Sequence, residues 1–331
     1  MEVFFSQLAN GLSTGALFAL MALALVFIFR STDIVNFAQG EMATFGTFLG
    51  WSISRPLSFS WIPLLAIDGH LNLVTWRPEL FGMTLSFGTA NEGVTRIGYI
   101  VVFVITVAIS FVIGALIERF IIRPSEGKNI LNAVIVTLGL FVLFNSLSVY
   151  RYGPSPKVYP SPFDAASAVN FGIFKISQQA VFSFCIAAVL MVIVYYFFQR
   201  TKLGLGIRAA ALNPQASQLM GINTGRMLTL GWGLAGAIGC VAGMMVAPQL
   251  SGISPSLMLT ILLYAFAAAV LGGLDSASGA VIGGLAVGVG QAMVVQYVGS
   301  QYSDLIAFAL IIAVLMVKPT GLFGSPVVKK V

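Results

Sequence analysis

Nine apolar stretches follow one another along this chain, each near the length of about 20 residues that crosses a hydrocarbon core of about 30 Å. They cover about residues 8–29, 36–54, 97–118, 130–150, 180–199, 227–247, 257–273, 277–297 and 303–317. A spanning segment in lipid must satisfy its own backbone, so long apolar runs of this kind become helices. The residues between them cannot coat a water-soluble sphere. Hydrophobic residues make up 58% of the chain and charged ones 8%, against about 25% charged in soluble domains. The expected fold class is all-α: one polytopic transmembrane helical bundle over residues 1–331. The second stretch is the weakest span, because Asn36, Gln39 and Glu41 interrupt it. It reads as a broken or re-entrant helix, tolerable at depth only where protein or a cavity surrounds it. The first run has no Lys/Arg region before it and no small-residue cleavage site after it, so it reads as a retained span rather than a signal peptide.

Orientation follows from the basic residues, which concentrate on the cytoplasmic side of membrane proteins. Segment ends near 30, 119–128, 200–226 and 318–331 hold 11 Lys and Arg, while the opposite ends hold 6, from Arg55 to Lys175. Nine crossings with the N-terminus outside and the C-terminus in the cytoplasm fit this distribution. Loops 55–96 and 151–179 then lie outside. The first carries His70, Trp61 and Trp76, enough for an interfacial helix or an ordered cap. The second crowds prolines between Pro154 and Pro162, which excludes a continuous helix there. Either loop is suited to a soluble partner or to a simple lid.

The cytoplasmic island 201–226 is the segment with the clearest task. Asn213 is a favoured N-cap and Pro214 suits the first helical position. Gly221 closes the helix after barely two turns through a left-handed residue. Ala216, Leu219 and Met220 stand at i, i+3 and i+4 and form one apolar stripe. An apolar helix face in a water-facing loop needs a cover, either a groove on another protein or a lipid surface. Arg208 precedes this helix as an ionic contact for the same partner.

Other polar residues admit structural and functional readings. Asn36 and Gln39 have capping-box spacing. Glu41 lies deeper, where an acid signals function or a partner, and Arg30 is the candidate for that partner. Asn145, Gln291 and Gln296 are further candidates for lining a path. Asp275 or Ser276 would cap the helix after LGGLDSASG, with a share in transmitting motion left open. Lys318 and Pro319 end the last span, and TGLFG adds a second apolar element near the island. Glycines four apart, such as Gly11/Gly15, Gly239/Gly243 and Gly284/Gly288, allow close helix packing.

Several chemistries are absent from the sequence. There is no G-x-x-x-x-G-K-[ST] phosphate loop, and a single histidine leaves no triad or HExxH pair. Cys185 and Cys240 have neither metal-ligand spacing nor a disulfide framework. The net charge of +6 is distributed by loop placement and lacks the basic–aromatic pattern of nucleic-acid binding. Catalytic residues and metal ligands are therefore expected to be none.

VNFAQGEMATFGTF, RAAALNPQASQLMGINTGR, LGGLDSASGAVIGGL and VKPTGLFG, in that order, resemble the permease subunits of bacterial branched-chain amino acid ABC importers. GLSTGALFALMALALVFIFRSTDIVNFAQGEM is similar to the first of the two related permeases in such systems. The resemblance covers almost the whole chain; the long 55–96 segment departs from it. Importers of urea, amides and aromatic acids share these patterns. The resemblance implies an inner-membrane permease paired with a second homologous permease. It also implies two cytoplasmic ATPases, which bind ATP and Mg, and a periplasmic substrate-binding protein. No cofactor is expected in this chain. Residues 208–221 become the ATPase-coupling loop, comprising Arg208, Asn213, Pro214, Ala216, Leu219, Met220 and Gly221. Asn36, Gln39, Glu41, Asn145, Asp275, Gln291 and Gln296 remain pathway or gating candidates. The rival class is a self-sufficient channel or secondary transporter, which would carry intramembrane charged pairs or matched broken repeats.

Overall fold

The computed structural model describes residues 2–32, 34–54, 96–125, 130–163, 168–170, 175–250, 252–318 and 320–324. The described residues form eleven α-helices, nine on the apolar runs and two, α6 and α7, in the 201–226 segment: α1 (Glu2–Thr32), α2 (Gln39–Ile53), α3 (Arg96–Ile117), α4 (Ile130–Tyr152), α5 (Gln178–Arg200), α6 (Lys202–Leu212), α7 (Pro214–Leu219), α8 (Thr224–Gln249), α9 (Leu257–Gly272), α10 (Ala277–Tyr297) and α11 (Ser303–Val317). All nine expected segments are helical, and seven of them are long and apolar enough to cross a membrane. α11 reaches 18 residues together with the 3-10 turn Ser300–Tyr302 before it, whereas α2 and α9 are the exceptions, with 15 and 16 residues. At 1.5 Å per residue they reach about 22–24 Å, short of a hydrocarbon core of about 30 Å. The expected loop over 55–96 lies outside the described residues except at its last position, where α3 begins. Loop 151–179 contains no long helix among the described residues. Its strands β1 (Ala168–Asn170) and β2 (Lys175–Ser177) form an antiparallel pair, and Lys157 bridges Ile253.

α1 and α8 are the central helices, and both are apolar on every side because protein surrounds them. Every residue of α1 from Ala16 to Ile28 is at most 2% exposed. α10, α9, α8 and α5 pack around α1, while α2 and α3 pack on α8. The outer helices keep apolar faces uncovered, with Val104, Val142, Val192 and Ile312 more than half exposed. Those faces fit a lipid solvent, and the protein is membrane-embedded.

Small residues set how closely the centre packs, since lipid offers no hydrophobic drive between helices. A Cβ at Gly288 would lie 2.1 Å from the Gly15 Cα, and one at Gly284 would lie 2.4 Å from the Ala19 Cα. On the other side of the bundle, Gly239 leaves room for the Gln39 amide and Gly243 for the Thr47 hydroxyl. The four-residue glycine spacings therefore map onto two helix seams, α1 against α10 and α2 against α8.

Basic chain ends gather at one end of the bundle: Arg30, Arg123, Arg200, Lys202, Arg208 and Lys318. The last carbonyls of α9 also lie there, and they are capped from the end of the chain. Leu322 N donates to Leu271 O at 2.9 Å and Phe323 N to Gly272 O at 3.0 Å. TGLFG is thus a cap on α9 as well as a surface element, with Gly321 at φ +77° turning the chain back. Lys318 closes it by donating from Nζ to Leu322 O at 2.8 Å.

Candidate functional site

Two parts of the structure have more polar or exposed character than packing alone requires. The first lies where α2 begins. After α1 the chain runs without helix over 34–36 and then turns into α2 at Gln39. Asn36 and Gln39 are fully buried and Glu41 is 1% exposed. Their depth follows from their neighbours: Gln39 Nε2 donates to Ala235 O at 2.9 Å, near the middle of α8. α2 therefore starts deep within the bundle, and its irregular lead-in is enclosed by protein as lipid physics demands. The expected capping box is not formed. The N-cap is Ala38, with no side-chain cap. Asn36 instead accepts from Ala38 N at 3.0 Å and donates to Gln39 Oε1 at 3.1 Å, a local turn that competes with the cap.

Glu41 does not meet Arg30. Its Oε2 accepts from Asn145 Nδ2 at 3.3 Å, and the same amide reaches Pro255 O at 3.4 Å. Glu41, Asn145 and the chain before α9 thus meet at one junction, where both short helices begin. Thr44 on α2 and Ser148 on α4 add buried hydroxyls without a hydrogen-bond partner. Of the seven pathway candidates, Asn36, Gln39, Glu41 and Asn145 are brought together here. The other three are elsewhere. Gln296 accepts from Gln7 at an exposed end of the bundle. Gln291 lies beside Tyr264, whose hydroxyl donates to Asp304 at 2.7 Å. Asp275 precedes α10, whose cap is Ser276, accepting from Gly279 N at 3.1 Å.

The second part is the 201–226 segment. Asn213 Oδ1 accepts from Ala216 N at 3.0 Å, Pro214 is the first residue of α7, and Gly221 has φ +81°. Gly221 N and Ile222 N then donate to Gln218 O and Ser217 O, closing the helix end. Asn223 caps α8 in turn through Arg226 N. The outcome is a rigid two-turn projection with Leu219 90% and Met220 83% exposed, beside an exposed Ala216. Leu212, not singled out from sequence, joins them at 86%. Arg208 lies in α6. It is half-buried, donates to Gln199 Oε1 at 3.3 Å, and lines a cavity with Arg30. The cause is Gly204, which folds α6 tightly back on the end of α5.

A clamp ties this segment to the bundle, and sequence reasoning missed it. Past α3 the chain forms a π-turn over Glu118–Ile122. Arg123 donates to both Glu118 oxygens, at 3.0 and 2.9 Å, and also to Gly225 O and Thr229 Oγ1 at 2.7 Å each. Thr229 donates to Glu118 Oε2 at 2.6 Å. Glu118 is fully buried, so the first turn of α8 is held by a bidentate, charge-assisted network. An i,i+5 acid–base pair faces together only where the helix widens, which is why a 3.6-residue period hides it.

Comparison with known proteins identifies the family. The family model described as "Branched-chain amino acid transport system / permease component" matches residues 7–315. The chain belongs to this permease family. The permease is 30% identical to the high-affinity branched-chain amino acid transport system permease protein LivH of Salmonella typhimurium, over 99% of this chain and 98% of that one. It is 29% identical to the corresponding protein BraD of Pseudomonas aeruginosa, with the same coverage. A probable branched-chain amino acid transport permease protein LivH of Methanocaldococcus jannaschii is 27% identical over 93% of this chain and 89% of its own. No solved structure matches. A permease component moves solute rather than catalysing a reaction, in keeping with a chain that lacks a phosphate loop and a catalytic constellation.

Proposed function

We propose that this chain is the membrane permease of an ATP-driven importer of branched-chain, hydrophobic amino acids. Its energy arrives through α7. The observation that carries this reading is the capped, two-turn projection with Leu219 and Met220 almost fully exposed on a transport permease. A permease with no nucleotide site of its own needs a mechanical contact, and an apolar helix tip in a groove supplies one. The ATPase-coupling residues are Asn213, Pro214 and Gly221, which fix the helix, and Leu212, Ala216, Leu219 and Met220, which fill the groove.

Nine crossings, those of α2 and α9 completed by the non-helical chain that leads into each, with the N-terminus outside and α7 in the cytoplasm of a bacterial inner membrane, accord with the basic residues around α7. Two ATPases would bind two permeases, this one and a homologous partner, with a periplasmic binding protein on the other face. Displacement of α7 would pass through the Arg123–Glu118–Thr229 clamp into α8, which carries the Gln39 contact at the start of α2. The Glu41–Asn145 junction is the part of the path that changes access. With few charges at depth, such a path suits an apolar amino acid, and the binding protein sets most of the selectivity.

ATP-dependent uptake by the reconstituted complex, assayed with leucine, isoleucine, valine, urea and aromatic acids, tests the proposal. Uptake of the three branched-chain amino acids is expected. Uptake of urea or aromatic acids alone would reassign the substrate, and uptake by this chain in vesicles without ATP would reassign the class.

A further inference from the structure

We infer that the crevice between α5 and α10 binds the phosphate of an anionic phospholipid, gripped by Arg30 and Arg208. The observation behind this is a pair of arginines with too few partners. A guanidinium carries five N–H donors, and among the described residues Arg30 donates none of them to a protein group. Arg208 makes a single bond, to Gln199 at 3.3 Å. Its Nε is buried and has no partner. A buried unpaired donor is rare in a folded protein and signals a missing ion, water or ligand. The two side chains line one cavity and lie close enough to interact as like charges, with Asp275 near Arg30 as a partial counter-charge. Bringing two half-buried cations together costs free energy that a shared anion returns.

The walls select the kind of anion. Leu23 and Phe27 of α1 form the floor, Met191 and Val194 of α5 one side, and Val281 of α10 the other. Val192 and Tyr195 of α5 and Ile282 of α10 are exposed on the same two helices, where lipid would run. Ser278, in the first turn of α10, lies at the mouth near the positive end of that helix. A basic end over an apolar slot, between two helices with exposed apolar residues, fits a phospholipid headgroup with the first carbons of one acyl chain. Basic pockets between membrane helices bind such headgroups. Free phosphate would satisfy the arginines but leave the slot without an occupant.

The site does not depend on the transport reading and is tested without transport. The full-length chain, delipidated in detergent, is titrated with phosphatidylglycerol, phosphatidylcholine or inorganic phosphate and read by native mass spectrometry. Two cationic contacts predict that phosphatidylglycerol binds about thirty-fold more tightly than phosphatidylcholine. R30Q and R208Q together should remove that preference. K202Q, a change at an exposed basic residue of α6, should keep it. V281F, which blocks the slot away from the arginines, should weaken the lipid while the protein stays folded by circular dichroism, and serves if the double variant does not fold. Equal binding of the two lipids, equal loss in K202Q, or full displacement of the lipid by inorganic phosphate would each overturn the proposal.

Discussion

Adding one methyl group at Gly288 should disrupt the centre of the bundle, while the same change two residues later should not. A Cβ at Gly288 would sit 2.1 Å from the Gly15 Cα, where ordinary contact begins at 3.4 Å. The obstacle is backbone, so no side-chain rotation relieves it. α10 and α1 must separate by about 1.3 Å, the difference between those two distances. Interiors are packed at crystal-like density, and overpacking typically costs about 1–3 kcal/mol. With the clash on backbone between the two most closely packed helices, the cost should fall at or above the upper end, about 3 kcal/mol. At Gly290 a Cβ would meet nothing within 4 Å. Gly290→Ala should be neutral or stabilising, by up to about 1 kcal/mol of helix propensity. Reversible unfolding in mixed micelles, followed by circular dichroism, measures both. Gly288→Ala as stable as the parent, or Gly290→Ala as damaged as Gly288→Ala, would refute the seam.

Three further outcomes follow from the site geometry. Arg123→Ala strands the buried Glu118 carboxylate and should cost about 3–5 kcal/mol in the same unfolding assay, with Arg123→Ala/Glu118→Leu recovering a large part of it. Asn213→Ala removes the cap from Ala216 N and should cost α7 about 1 kcal/mol, seen as faster amide exchange confined to residues around 214–220. Glu41→Leu leaves the Asn145 amide without its acceptor on α2 and should cost about 1–3 kcal/mol. It should also depress uptake more than Glu41→Gln, which keeps an acceptor oxygen.

Much of this architecture is legible in the sequence because lipid leaves the chain few choices. Each apolar run became a helix, and the polar residues at Asn36, Gln39 and Glu41 marked the one that starts late. Local signals around α7 were equally direct: Asn213, Pro214 and Gly221 act through bonds within a few residues. Long-range partners were not legible. Glu41 faces Asn145 rather than Arg30 because α2 and α4 share a seam, which no spacing along the chain reveals. Arg208 turns inward because α6 folds back on α5 at Gly204. The α9 cap at Leu322 and Phe323 comes from residues about fifty positions downstream, and the Glu118–Arg123 pair depends on a π-turn that a regular period conceals.

The account rests on α7 as the energy contact, and Leu219→Asp/Met220→Asp addresses that contact directly. Each side chain buried in a groove is worth about 1.5–3 kcal/mol, so losing both should weaken ATPase binding by about a hundred-fold or more. The permease should remain folded, because neither residue contributes to its core. Co-purification with the ATPase subunits and ATP-dependent uptake should both be lost. If the variant recruits the ATPases and transports like the parent, α7 is not the coupling element.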